Sequence, residues 1–308
     1  MQGWDIVYAA DGVLPDVVMV VGGTKQLAWL WKMKRAGVPI VYRLDGINWL
    51  HRKTKVSARQ YFLGEVRNLL SQLIRKFLSS FIVYQSQFVA DWWQKKGWSA
   101  AQDFTIINNG VDLTEFHPGT IPVQKELALL CLEGTLDYTP YAVSLLNELR
   151  SRLPQDIPMR IYGGFEKEES KRQLSPEIDY RGKLARTDLP KAYRNAIYLS
   201  LDINAACPNT VAEALASGLP VVGFDTGALA ELVTPSAGVI VPYGSDPWEL
   251  DSPDIDALIM AVVEGLENWQ SYSDGARKLA VERYDLKSIT SQYLTTIENV
   301  INGMYEDR

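Results

Sequence analysis

The chain is poor in the residues that build disulfide frameworks and metal centres. Its 308 residues include two cysteines, Cys131 and Cys207, and two histidines, His51 and His117. The cysteines lie far apart and follow no ligand spacing. Neither a disulfide framework nor a metal site is indicated, and the expected compartment is reducing. With two histidines a Cys–His nucleophile pair has little support, so Cys207 reads first as a small loop residue and second as a nucleophile. Long apolar runs are missing too. None is long enough to cross a bilayer, and no secretory leader, repeat or low-complexity tract stands out. A cytoplasmic protein is expected, with peripheral attachment to the inner face of the membrane as an open addition.

Hydrophobic residues make up 47% of the chain, enough for two domains with a core each. The net charge of −6 is unevenly spread. Residues 1–125 hold 15 Lys/Arg against 9 Asp/Glu, a net of about +6, and the remainder balances to about −12. A basic first half and an acidic second half suit different partners.

Short apolar runs alternate with helical patterns. Residues 4–10 read as a short strand, 16–21 (DVVMVV) as a surer one, and 24–36 as a helix. Residues 39–44 (PIVYRL) form the next strand, which gives a parallel βαβ unit. That strand runs into Asp45-Gly46, either a turn-forming pair or a carboxylate at a ligand-gathering strand end. Residues 49–81 set seven Lys/Arg against one acid, Glu65, with apolar residues at helical spacing. Such a helix either packs its apolar face on the sheet or lies on an anionic membrane surface. Nucleic acid is the weaker option, because no aromatic platform or known motif accompanies the charge. Residues 81–84 and 105–107 are further strands, and the helix from 87 is closed by Gly97. Asn109-Gly110 is a turn that lines a ligand second, if at all. His117, before Pro118, reads as structural.

The second domain is organised around residues 202–233 (DINAACPNTVAEALASGLPVVGFDTGALAELV). Pro208 and Asn209 open a helix whose body is 210–217, Gly218 stops it, and a buried strand follows. Loop and helix N-terminus together offer amides and a dipole to a phosphate, and Glu213 sits one turn in, where it can meet ribose hydroxyls. Residues 225–228 open another helix and a second set of amides. A plain structural αβα unit accounts for the same signals.

The wording is more specific than the pattern. EALASGLPVVGFDTGALAELV resembles the nucleotide-sugar site of family 4 (group 1) glycosyltransferases. VPIVYRLDG resembles the strand that many members end in His-Gly, with Asp45 at the His position. IINNGVDLTEFHP resembles the segment leading to the interdomain linker. The resemblance covers roughly residues 16–300. It implies an α/β fold of two Rossmann-like domains facing a cleft (GT-B). The N-terminal acceptor-side domain is 1–122, the nucleotide-sugar domain 123–285, and a terminal helix, 286–308, crosses back. The first domain is short, because members carry more strands ahead of 16–23. It is either pared down or lacks an upstream part.

The resemblance further implies a retaining, metal-independent transfer of sugar from a nucleotide diphosphate donor to a carbohydrate or lipid-linked acceptor. No cofactor beyond the donor is expected. Asp45 is the candidate catalytic, acceptor-side residue. Glu213 is the ribose ligand, with Pro208, Asn209, Thr210, Lys183, Arg181, Gly134 and Thr135 as donor-binding candidates. Gly22, Gly23, Asn109 and Gly110 are expected to line the cleft. Two family features are absent. The acidic sugar contact eight positions before the helix glutamate is Ala205, and the basic residues after the first glycine are missing from GTLDYTPY. A non-catalytic, glycosyltransferase-shaped binding or scaffold subunit is therefore the alternative.

Overall fold

The computed structural model describes residues 3–96, 98, 102–119 and 127–303. Gly97, expected to close a helix, and the 122/123 boundary lie outside the described residues. The chain divides into two compact units. One combines 1–107 with 290–308, and the other is 108–289.

The first unit carries a sheet of β1 (Val18–Val21), β2 (Ile40–Leu44), β3 (Phe81–Tyr84) and β4 (Phe104–Ile106). They lie side by side in chain order, all parallel. Helices α1 (Leu27–Arg35), α2 (Ala58–Leu73) and α3 (Gln87–Lys96) supply the crossovers. Strand β3 (FIVY) is buried throughout, as a parallel strand covered on both faces must be. Edge strand β1 alternates instead and leaves Met19 and Val21 exposed. Helix α2 runs into a π-helical turn, Ile74–Leu78. There the buried Arg75 gives a guanidinium hydrogen bond to the Tyr84 hydroxyl at 2.9 Å. Residues 4–10 do not form the expected strand. They run into a 3-10 turn, Ala9–Asp11, which the Asp11 carboxylate fixes by accepting from the Tyr8 amide at 2.6 Å.

The second unit carries β5 (Ala128–Thr135), α4 (Ala142–Arg152), β6 (Met159–Gly164), α5 (Glu168–Gln173), β7 (Asp179–Tyr180) and α6 (Leu189–Ala192). Strand β8 (Ala196–Ser200), α7 (Asn209–Ala216), β9 (Val221–Phe224), α8 (Leu229–Leu232) and β10 (Gly238–Val241) follow, then α9 (Ile255–Glu267) and α10 (Trp269–Arg283). The strand order is β10-β9-β8-β5-β6-β7, all parallel. The order reverses at β5 and β8, the switch point at which doubly wound sheets gather ligands. Leu129, Cys131, Ile161, Ile197, Leu199 and Val222 form the centre of its core with Leu146 and Val262 from the helices.

Residues 108–118 are stitched into this second unit. Val111 bridges Asp285, its amide donating to the Tyr284 carbonyl at 2.8 Å. Arg277 donates to the Phe116 and Ala216 carbonyls. The last helix, α11 (Leu286–Ile301), begins in the second unit and passes into the first, where the Tyr293 hydroxyl accepts from Arg43 Nε at 3.2 Å. No helix among the described residues is long and apolar enough to cross a membrane.

Candidate functional site

In the first unit, three strand ends meet around one carboxylate. Asp45 follows β2 and is exposed. Its Oδ1 accepts from Arg43 Nη1 at 3.2 Å and from the Gln85 amide. Its backbone carbonyl accepts from the Trp93 indole at 2.8 Å. Gly22, after β1, holds a left-handed φ of 63°, and a Cβ there would lie 2.9 Å from Asp45 Oδ2. Only a glycine leaves that oxygen clear. Gly23 has open space around it. Asp45 is thus a carboxylate fixed through one oxygen and one carbonyl, with the other oxygen turned toward a glycine corner.

In the second unit, α7 starts the site. Its N-cap position is Pro208, and no side chain caps it. Asn209 and Thr210, the first helical residues, belong to the turn whose N–H groups have no intrahelical acceptor. Asn109 ties the loop down. Its side-chain amide donates to the Asn209 Oδ1 and to the Cys207 carbonyl, both at 2.8 Å, and its backbone amide donates to Cys207 Sγ at 3.4 Å. Cys207 is buried in this seam. Gly110 packs against Leu286 and Ile289, where a Cβ would approach to 3.0–3.2 Å.

Glu213 lies one turn into α7 and is 7% exposed. Its Oε2 accepts from the Tyr193 hydroxyl at 3.0 Å. Burial raises the carboxyl above its usual range, and the Tyr193 hydrogen bond offsets part of that rise. Sequence reasoning missed Tyr193 because nothing local marks it as the partner of a residue on a later helix. The 225–228 loop does not supply a second set of free amides. Ala228 donates to the Ala205 carbonyl at 2.9 Å, and Thr226 donates to Phe224. At Gly227, φ is 62° and a Cβ would collide with the Ala205 backbone. The helix that follows, α8, is only four residues long.

The remaining candidates sit at the carboxyl ends of β5, β6 and β7. Thr135 pairs with Gly164 across a register shift in β5. Lys183 lays its side chain over Gly164, in the space a Cβ would take, beside the Gly134 carbonyl. Arg181 is committed elsewhere. It forms an ion pair with Asp179 at 2.6 Å and donates to the Tyr162 hydroxyl at 3.1 Å. Of the two basic candidates, Lys183 alone lies over the glycine corner.

An acidic pair that sequence reasoning overlooked lies beside this corner. Glu133 and Asp202, at the ends of neighbouring strands β5 and β8, line a hollow of about 270 Å³ with Thr135, Leu136, Tyr138 and Thr139. Burial and then the nearby Asp202 charge push the Glu133 carboxyl well up. Burial also raises Asp202. The pair therefore holds a proton more tightly than free carboxylates do. Among the described residues no group of three His, Cys, Asp or Glu is placed to hold a metal ion.

This arrangement of loop, uncapped helix and buried glutamate lies inside a segment with a family match. Residues 135–268 match the model described as "Glycosyl transferases group 1". Over these residues the chain is similar to the group 1 glycosyltransferases. A search of curated protein sequences finds no match. Solved structures match over nearly the whole chain. Sucrose-phosphate synthase from Thermosynechococcus elongatus is similar with a TM-score of 0.72 at 15% identity, covering 94% of this chain and 74% of that one. Anabaena HepE, solved with UDP-glucose, is similar with a TM-score of 0.69 at 16% identity, covering 91% and 78%. The pneumococcal O-GlcNAc transferase GtfA, solved with UDP and GlcNAc, gives 0.66 at 15%, covering 92% and 57%. At these identities the likeness establishes the two-domain GT-B fold of the glycosyltransferases. The uncapped start of α7, Glu213 and the Ala205 loop all fall within the matched glycosyltransferase segment.

Proposed function

We propose that this glycosyltransferase moves a sugar from a nucleoside diphosphate donor to a hydroxyl of a carbohydrate or lipid-linked acceptor of the cell envelope. The transfer retains anomeric configuration and uses no metal. The observation that carries the reading is the uncapped start of α7 with Glu213 buried one turn later. The exposed N–H groups and helix dipole of Asn209 and Thr210 suit a diphosphate. Glu213, oriented through Oε2 by Tyr193, keeps Oε1 for ribose hydroxyls. Lys183 adds a cation over the Gly134–Gly164 corner, where developing charge on the leaving diphosphate needs neutralising. Asp45, fixed by Arg43 and Gln85, faces the acceptor hydroxyl with its second oxygen. Similar structures solved with UDP-glucose and with UDP and GlcNAc make UDP-sugars the first donors to try.

Calorimetric titration with UDP, GDP, ADP and their sugars tests the reading, on wild type and Glu213→Ala. One nucleotide is expected to bind, and the substitution to weaken it by about tenfold or more, which is 1.4 kcal/mol. Equal affinities for the two proteins would remove the ribose assignment.

A second reading is favoured by the acidic pair. The basic residues that the family carries after its first glycine are missing from GTLDYTPY, the acidic pair Glu133 and Asp202 lies beside that segment, and Ala205 replaces an acidic sugar contact. On that reading the chain is a non-catalytic binding or scaffold subunit. Donor consumption separates the two, since a scaffold turns over none.

A further inference from the structure

Much of the apolar stripe of α2 faces away from the core: Phe62, Leu69 and Phe77 are exposed, and Val66, Leu70 and Leu73 are half-buried. Phe62, Val66, Leu69, Leu70 and Leu73 recur at steps of three and four residues, and Phe77 continues them across the π-turn. Such a stripe ordinarily covers the sheet. Here Phe62 is 67% exposed, Leu69 47% and Phe77 51%, whereas the buried residues of α2 are Gly64 and Asn68. Polar contacts on the inner side lock that orientation. Asn68 Oδ1 accepts from the Asn48 backbone and side-chain amides at 2.9 and 3.0 Å, and Asn68 Nδ2 returns a bond to the Asn48 carbonyl at 2.8 Å. Gly64 lies under the His51 ring, with room for no Cβ, and Glu65 accepts from Arg52 at 2.5 and 2.7 Å. Rotating the helix to hide its stripe would break all of these.

The surroundings of the stripe are cationic. Lys53, Lys55, Arg59 and Arg67 are exposed. Lys76 sets its ammonium 5.6 Å from both the Phe77 and the Trp98 rings. Glu65, the single acid of residues 49–81, is neutralised by Arg52. Helix α1, packed against the π-turn, adds the exposed Trp31 with Arg35 stacked at 4.6 Å.

We infer that this face docks on an anionic lipid bilayer. Phe62, Leu69 and Phe77 reach the acyl boundary, the tryptophans sit at headgroup level, and the lysines and arginines meet lipid phosphates. A second copy of the chain would bring two cationic rims together, which like-charge repulsion opposes. The inference goes beyond sugar transfer and needs no nucleotide for its test.

The experiment is vesicle flotation of the whole chain with phosphatidylglycerol-rich and pure phosphatidylcholine vesicles. It compares wild type with the triple variant Phe62→Ser/Leu69→Ser/Phe77→Ser and with Arg59→Glu/Arg67→Glu. Thermal melting confirms that each variant is folded. Wild type is expected to float with the anionic vesicles only. Raising salt from about 0.05 M to about 0.5 M should weaken binding about tenfold or more. Each variant should weaken it by about tenfold or more at low salt. Absence of binding at low salt, or flotation of the triple variant equal to wild type, overturns the inference. So does a concentration-dependent dimer that the triple variant abolishes while no vesicle binding occurs.

Discussion

The two units hold their key carboxylates in opposite ways. Asp45 in the first is exposed and held by cationic and amide donors, Arg43 and Gln85. Glu213 in the second is buried and held by a neutral phenol, Tyr193. Burial raises the proton affinity of Glu213, and the Tyr193 hydrogen bond offsets part of the rise. The proposed reading places the acceptor on the side of the first carboxylate and the donor on the side of the second. The charge balance runs in parallel, with a basic first half and an acidic second half.

The sharpest break in that comparison is Asp45→Asn. It keeps shape and removes the carboxylate, so on the proposed reading sugar transfer should fall by about 10²–10⁴-fold while nucleotide affinity stays unchanged. Steady-state transfer and calorimetry on the same preparation check both halves, and a loss of nucleotide affinity would put Asp45 on the donor side instead.

A smaller effect sharpens the acidic side. Glu133→Gln should raise the Tm at pH 7 by about 2–4 °C. A carboxyl raised by folding contributes stability that is complete below its ordinary range and is lost as pH rises through the raised value. The gain on substitution must therefore vanish in acid. A gain of equal size at pH 3 and pH 7 would exclude the charge as its cause.

Smallest is Glu65→Gln, on the basic side. The Arg52 hydrogen bonds hold the Glu65 carboxyl down to about 2, with His51 assisting. A depressed carboxyl stabilises above its ordinary value and loses that contribution as pH falls through about 2. Because the pair is partly exposed, the cost at pH 7 should be at most about 1 kcal/mol. Denaturant melts of both proteins should converge as pH drops from 5 to about 2. Curves that stay parallel would show that packing, and not charge, is what the substitution changes.

The strands and α7 were legible in the sequence because their signals are local. Short β-branched runs ending in glycine mark buried parallel strands, and a Pro-Asn pair before an apolar period marks a helix start. The partners of the site residues were not legible. Gln85 reaches Asp45, and Asp202 reaches Glu133, only because β3 follows β2 and β8 adjoins β5 in the sheets. The period of α2 was plain, but a period has no direction. Whether the stripe faces core or solvent was decided by Asn48 and His51, outside the helix. Residues 225–228 read as free amides because two of their acceptors, the Val241 carbonyl for Asp225 and the Ala205 carbonyl for Ala228, lie far away in the chain.

The Arg277 guanidinium has a practical consequence for anyone dividing this protein. Its Nη1 reaches the Phe116 carbonyl at 3.0 Å and the Ala216 carbonyl at 2.6 Å, and its Nη2 reaches Leu113 at 3.5 Å. A fragment of the second unit trimmed to begin at 123 would discard two of those three acceptors, the Val111–Asp285 bridge and the Asn109 clamp on the loop before α7. One beginning at 108 keeps them all. Residues 108–118, which read as a connector, serve as a selvedge: the woven border without which the cloth beside it frays.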